Sequence, residues 1–311
     1  MFDKILGQKD VLERLKFAIE AVKVGGFCPF FLVLGPFGCG KTAIIRQFAI
    51  HLNKVSGGGK KYLEINCSTI KDVNAFVDLI HDKKMEEGNI ISCFDECHNL
   101  PVDVQNLLLS VLTSDKDPVR KVAFKDRELT FDFSKHTFLF ATTEPHKIFK
   151  PLKSRMEVLA LEPYTEEELA QIIQTNAPQI KFSEGVLEVI VDSIKGTPRA
   201  ASEIAKRLIE FCQVKRRSNF TSKELNEFRR VANVKLCGLD SIELSYLRTL
   251  SKKENQTASL TDMSATLGIS SSALKGDHEH HLLKKGLMKI NGQRILTLKG
   301  RNVLKLIDGL E

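Results

Sequence analysis

Eight residues, Gly35-Pro36-Phe37-Gly38-Cys39-Gly40-Lys41-Thr42, follow the pattern G-x-x-x-x-G-K-T. The chemistry open to such a run is phosphate binding. Around Pro36, the glycines Gly35, Gly38 and Gly40 let backbone N–H groups close on phosphate oxygens. Lys41 brings an ammonium to the β- and γ-phosphates, and the Thr42 hydroxyl can ligate Mg²⁺. An acidic pair, Asp95-Glu96, ends the apolar run Ile90-Ile91-Ser92-Cys93-Phe94. Alone, such a pair is an ordinary solvated strand end. Behind a phosphate cradle, Asp95 would hold the metal and Glu96 would act as general base toward water.

These side chains need strand ends and a helix start to position them. Phe30-Phe31-Leu32-Val33-Leu34 predicts a strand into the glycine-rich loop, and Ala43 to Leu52 is apolar at helical spacing after it. Tyr62 to Asn66 and Thr137 to Ala141 read as further strands, and Asp72 to Ile80 and Leu100 to Leu112 as helices. Ahead of the loop, Val11, Leu12, Leu15, Ala18, Ile19 and Val22 share one face of a helix that Gly25-Gly26 ends. Alternating strands and helices predict an α/β fold with a parallel sheet covered on both faces. Val119 to Phe124 and Leu129 to Phe133, flanking a polar turn at 125–128, predict a β-hairpin inserted in that core. It reads either as a surface excursion or as a contact arm for DNA or protein.

At 311 residues the chain is long enough for two or three domains, and its 42% hydrophobic and 27% charged content is ordinary for a soluble protein. A net charge of +7 permits a polyanionic partner without requiring one. No signal peptide and no membrane span is legible, which predicts a cytoplasmic protein that does not engage membrane. Seven scattered cysteines do not form a disulfide framework. Cys93 and Cys97 before His98 read as buried thiols, and His278, His280 and His281 as solvated side chains; a metal site is the less favoured reading for both groups.

In the second half, Thr165 with Glu168 forms a capping box. From there to about Val234 the pattern is wholly helical, with Ile172, Ile173, Ile190, Ile204, Leu208 and Phe228 on apolar faces. Past Cys237-Gly238, three helical stretches precede a hairpin, Leu287 to Ile290 and Gln293 to Leu298, turned by Asn291-Gly292. Helices followed by a hairpin predict a winged helix. Residues 238 to 311 carry eleven Lys and Arg against eight Asp and Glu. Lys289, Arg294 and Arg301, on or beside the wing, are the candidate phosphate contacts; a wing serving as a protein contact is the other reading.

Taken together these segments resemble the AAA+ ATPases, and among them the RuvB-like motors of Holliday-junction branch migration. Phe2 to Gln8, with Ile5, is similar to the family's nucleotide-flanking box. Gly35 to Thr42 is similar to Walker A, and Phe94-Asp95-Glu96-Cys97-His98 to Walker B. Phe140-Ala141-Thr142-Thr143 resembles the sensor 1 strand, whose Thr143 would touch the γ-phosphate or the water. Pro151 to Arg155 resembles the arginine-finger segment, placing Arg155 in a neighbouring subunit's site. Gly196-Thr197-Pro198-Arg199 resembles sensor 2, with Arg199 on the nucleotide. Phe37, Cys39 and Lys153 depart from the usual pattern.

The resemblance implies three parts: an AAA+ nucleotide-binding core over 1–162, a helical lid over 163–235 and a winged-helix DNA-binding domain over 238–311. It implies ATP and Mg²⁺, a homo-oligomeric ring of hexamer size, duplex or four-way-junction DNA, and a RuvA-like junction-binding partner. The expected activity is ATP hydrolysis coupled to branch migration. The alternatives are a clamp-loader or initiator-type ATPase that loads a protein on DNA, and a scaffold that binds ATP without turning it over.

Overall fold

The computed structural model describes residues 2, 5–83, 85, 89–112, 119–124, 127–132, 136–232, 234 and 236–309. It divides into two compact units, Met1–Pro163 and Tyr164–Glu311.

The first unit is built on strands that are apolar on both faces. Along β1 (Phe31–Leu34), Phe31 and Val33 face one layer while Leu32 packs in the other. The same alternation recurs in β3 (Ile90–Asp95), with Ile91 and Cys93 against Ile90 and Phe94. It recurs again in β6 (Thr137–Thr142), with Leu139 and Ala141 against Phe138 and Phe140. Strands of this kind are stable only when helices cover both sides. With β2 (Lys61–Asn66) and β7 (Glu157–Ala160) they form a parallel sheet in the order β2-β3-β6-β1-β7. Helices α1 (Lys9–Lys23) and α2 (Lys41–Val55) cover one face; α3 (Val73–Asp82), α4 (Val102–Val111) and the single turn α5 (Lys150–Lys153) cover the other.

On the second face, phenylalanines account for much of the core. Phe94 stacks on Phe140 at 5.2 Å between centroids and on Phe138 at 6.3 Å, with Phe76 and Phe30 at its margins. A dry sheet face offers no partner for a tyrosine hydroxyl or an indole N–H, which favours phenylalanine there. Because all five strands run parallel, the ends of β1, β3 and β6 open at one edge of the sheet, where such folds bind ligands.

The inserted hairpin pairs β4 (Val119–Phe124) with β5 (Arg127–Asp132). Arg127 and Glu128 belong to β5, not to the turn expected there, and residues 125, 126 and 133 lie outside the described residues.

The second unit holds two apolar cores. One gathers α6 (Glu166–Asn176), α7 (Val186–Asp192), α8 (Pro198–Lys215) and α9 (Ser222–Val231). The Thr165 and Glu168 capping box is present at the start of α6. The segment is not wholly helical as expected: β8 (Lys181–Phe182) pairs in parallel with β9 (Asn219–Phe220), placing Phe220 in the core. The other core joins α10 (Ser241–Lys252), β10 (Thr257–Ala258), α11 (Leu260–Leu267), α12 (Ser271–Ala273) and a π-turn over Leu274–Glu279 that runs into α13 (His280–Lys284). It is closed by β11 (Met288–Asn291), β12 (Gln293–Leu296) and α14 (Leu298–Asp308).

Two details correct the expected wing. Asn291 pairs with Gln293, and at the turn Gly292 alone has a positive φ, so the expected two-residue turn gives way to a tighter one centred on Gly292, with the register shifted by one residue. Leu298 starts α14 and does not extend the strand, because the Thr297 side chain caps the Gly300 N–H. Gly300 is required there: a Cβ would sit 2.2 Å from the Leu287 carbonyl oxygen. Among the described residues, no helix is long and apolar enough to cross a membrane.

Candidate active site

The site begins where β1 runs out. Gly38 and Gly40, at φ 76° and 96°, turn the chain through left-handed backbone that side chains disfavour. Gly40 is the N-cap of α2 and supplies no capping side chain, so the first-turn N–H groups remain available to an anion. At Gly35 a Cβ would lie 2.7 Å from Cys39 Sγ, so the loop packs on its own backbone. Burial pushes the Cys39 thiol up, with Lys41 opposing, so this cysteine stays a thiol and packs. Lys41 is 6% exposed; its Nζ donates to the Gly35 and Pro36 carbonyls at 3.0 and 3.2 Å.

Opposite the loop lie the two carboxylates. Thr42 Oγ1 donates to Asp95 Oδ2 at 3.1 Å, and Asp95 Oδ1 accepts the Glu96 N–H at 3.0 Å. Glu96 stands in the left-handed region, at φ 52° and ψ 48°. A glutamate there costs on the order of 1 kcal/mol, which the surrounding contacts must offset. Those contacts hold its carboxylate: Thr143 Oγ1 donates to Glu96 Oε2 at 3.0 Å, and Lys41 Nζ is 3.9 Å from Oε1.

Two further side chains, His98 and Glu144, belong to this site and were not singled out as site residues in the sequence. His98 Nδ1 lies 2.9 Å from Thr142 Oγ1 and 3.3 Å from Glu96 Oε2. Its Nε2 is 3.5 Å from Glu144 Oε1. Lys147, donating at 2.7 Å, holds the Glu144 carboxyl below the usual carboxylate range. The signal available in the sequence was a histidine just past the acidic pair, which carries no periodicity. Cys93 and Cys97 are free, buried thiols, and burial pushes the Cys93 thiol up to about 12.

Ile5 packs half-buried against the α1 and α2 core, and its N–H donates to the Phe2 carbonyl. Arg155 is exposed and turned to the C-terminal end of α4, where it donates to the carbonyls of Leu109 and Leu112. Arg199 is the second residue of α8, in the other unit.

The three expected phosphate contacts on the wing separate. Lys289, on β11, and Arg301, on α14, are exposed. Arg294 is not: it is 7% exposed, and its guanidinium forks onto Glu279, itself 2% exposed, at 2.9 and 3.1 Å. Tyr246 donates to the same carboxylate at 2.7 Å. Burial disfavours the Glu279 carboxylate, but Arg294 and Tyr246 outweigh it and hold its pKa below the usual range. Arg294 is therefore a core residue, fully committed to an internal partner, and the expectation of a DNA contact is withdrawn for it.

Among the described residues, Asp240, Glu243 and His278 lie close enough together to hold a metal. Lys195 Nζ already reaches both carboxylates, at 2.8 and 3.3 Å. That ammonium fills the cation position, and the group reads as an ion-paired joint between the α7–α8 connection and the start of α10. His278 and His281 are thus half-buried at this joint and not solvated as expected, while His280 is exposed as expected.

Lys41, Thr42, Asp95, Glu96 and Thr143 converge where β1, β3 and β6 end. The donors suit a Mg²⁺-nucleotide. A hydroxyl and a carboxylate supply hard oxygen ligands, uncapped N–H groups and an ammonium face anionic oxygen, and a carboxylate is left to take a proton.

The model of the ATPase family associated with various cellular activities (AAA) matches residues 31–164. That of the RuvB C-terminal winged helix domain matches residues 236–305. The Holliday junction branch migration complex subunit RuvB of Kosmotoga olearia is 28% identical over 304 residues, 96% of this chain and 86% of that protein. Its counterpart in Thermotoga maritima is 27% identical over 313 residues, 97% and 90% of the two chains. Among solved structures, the Thermotoga maritima RuvB Holliday junction branch migration motor aligns with a TM-score of 0.76 at 25% identity, covering 98% of this chain and 96% of that one. A P-loop core with both carboxylates in place, followed by that winged helix, puts the chain in the RuvB-like AAA ATPases.

Proposed function

We propose that this protein is an ATP-driven DNA motor that moves the branch point of Holliday junctions in recombination and repair. The observation that carries the enzymatic half is Glu96, an unblocked carboxylate tied to Thr143 in a site that also offers Lys41 and Thr42. A protein that only bound ATP would have no use for a base held there.

Thr42 and Asp95 would hold Mg²⁺, which supplies charge neutralisation on the phosphate oxygens when bound. The loop N–H groups and Lys41 bind the phosphates. Glu96 accepts a proton from the water that attacks the γ-phosphorus, and Thr143 keeps that carboxylate aimed. By the resemblance, Arg199 would add a cation to the phosphates, and Arg155 would leave the α4 carbonyls to complete a neighbouring subunit's site. That sharing implies a ring, hexameric by the same resemblance. Lys289 and Arg301 would hold duplex backbone. A RuvA-like partner would deliver the four-way junction, with the β4–β5 hairpin as its proposed docking arm. The cytoplasm, where DNA and ATP meet, is the proposed location.

The test is ATP-driven dissociation of a synthetic four-way junction, with and without a RuvA-like protein, beside Glu96→Gln and Arg155→Ala. Resolution into duplex arms by wild type, abolished in both variants, supports the reading. ATP turnover with no junction movement under any condition overturns it in favour of a clamp-loader or initiator-type switch.

A further inference from the structure

Glu96 sits on strained backbone, and one direct hydrogen bond, from Thr143, holds its carboxylate. A second support comes from the side. His98, in the turn after β3, has 8% of its side chain exposed, and its Nδ1 stands between Thr142 Oγ1 and Glu96 Oε2, at 2.9 and 3.3 Å. The far ring nitrogen, Nε2, faces Glu144 Oε1 at 3.5 Å. Glu144 is fixed in turn by its own backbone, whose N–H donates to Thr142 Oγ1 at 3.0 Å, and by Lys147. The ring thus spans two carboxylates, one of them the general base, and closes a loop of contacts through Thr142.

We propose that His98 is a positioning residue for Glu96 and that Glu144 orients its imidazole, so that the exit of β6 and the base move together. The inference rests on the hydrolytic role given to Glu96. Thr142, Thr143 and Glu144 are consecutive, and all three now bear on one carboxylate, two of them through His98. A phosphate-induced shift at the end of β6 therefore reaches Glu96 by two routes. The orienting carboxylate on the remote ring nitrogen does what such partners do for ligating and catalytic histidines: it selects the ring's orientation and which nitrogen faces the reacting group.

Steady-state ATP hydrolysis and nucleotide affinity of four forms of the full chain test this: His98→Leu, His98→Asn, Glu144→Gln and the double variant His98→Asn with Glu144→Gln. His98→Leu is expected to lower kcat about tenfold by letting the base drift. KM and nucleotide Kd should stay within about twofold, since phosphate binding does not use the ring. An asparagine amide can replace Nδ1 toward Thr142 and Glu96 but cannot reach Glu144. His98→Asn should therefore recover most of the lost kcat, and Glu144→Gln should lower kcat in the wild-type chain but not in His98→Asn. A purely structural histidine would not make the effect of Glu144 depend on the far ring nitrogen. Equal effects of Glu144→Gln in both backgrounds, or wild-type kcat in His98→Leu, overturn the inference. Should His98→Leu fail to fold, the two Glu144→Gln comparisons decide alone. Absence of wild-type hydrolysis in the same assay sinks the enzymatic reading itself, which separates the two failures.

Discussion

Thr42 Oγ1 donates to Asp95 Oδ2 across 3.1 Å, joining the first turn of α2 to the end of β3. The bond links the phosphate loop to the carboxylate strand, so the two side chains proposed to hold the metal lie side by side. Thr42→Val keeps the shape and removes the hydroxyl. Mg²⁺-dependent ATP hydrolysis is expected to fall by about a hundredfold or more, because the oxygen ligand is lost from the transition state. The melting temperature should change little, since the site is at the sheet edge. Wild-type turnover in Thr42→Val would show that the hydroxyl does not serve the metal.

Arg155 spends its guanidinium on the Leu109 and Leu112 carbonyls, at the negative end of the α4 dipole. Arg155→Ala should therefore have two separable effects. Stability should drop by about 1 kcal/mol or less, from loss of a cation at a helix C-terminus. Hydrolysis should drop by about a thousandfold if the arginine serves a neighbour's phosphates. Mixing Arg155→Ala with Lys41→Ala subunits should restore partial activity, because an intact site can then form from one subunit's loop and the other's arginine. No recovery at any mixing ratio would confine Arg155 to its helix-capping role.

Inside the winged helix, Arg294 and Glu279 form a buried pair whose carboxylate also accepts from Tyr246. Arg294→Ala strands a charged carboxylate and should destabilise this domain by about 3–5 kcal/mol. Lys289→Ala, at an exposed position, should change stability by less than about 0.5 kcal/mol. If Lys289 meets phosphate, its loss should weaken binding across all DNA sequences and reduce the salt slope by about one. Chemical denaturation and a salt titration of DNA affinity separate the two arginine and lysine roles.

The difference between these residues marks what the sequence can reveal. Gly40, Lys41 and Thr42 were legible because phosphate binding by a loop is local: the backbone turn, the helix start and the side chains sit in one run. The core strands were legible because residues such as Phe138 and Phe140 are apolar in succession, as two-faced burial demands. Arg294 was misread because an arginine in an alternating strand gives no sign of a carboxylate fifteen positions back folding over it. The hairpin register failed for a related reason: Asn-Gly permits a two-residue turn, but pairing with β10 and packing of α14 decide which register is used. His98 escaped because its partners, Thr142 and Glu144, become neighbours only when β3 and β6 lie side by side.

His136 offers a test of stability against pH. It is 7% exposed, with Nε2 2.8 Å from Ser92 Oγ, and burial lowers its imidazole pKa from 6.5 to about 3, with Lys60 acting in the same direction. The folded value lies below the unfolded one, so the unfolded chain takes up a proton that the native core refuses. Above about pH 6.5 both states are neutral and nothing is lost. As pH falls from there toward 3, the unfolded state binds up to about one extra proton, and stability declines by up to about 1.4 kcal/mol per pH unit. Denaturant unfolding of wild type and His136→Asn from pH 7 to 4 measures this directly. The variant will be less stable at pH 7, because it loses packing against Phe138, whose ring lies 4.2 Å away. Its slope with pH should nonetheless be shallower by about one proton. Parallel slopes for the two proteins would mean that the native core admits the proton, and that His136 does not govern the acid limb of stability.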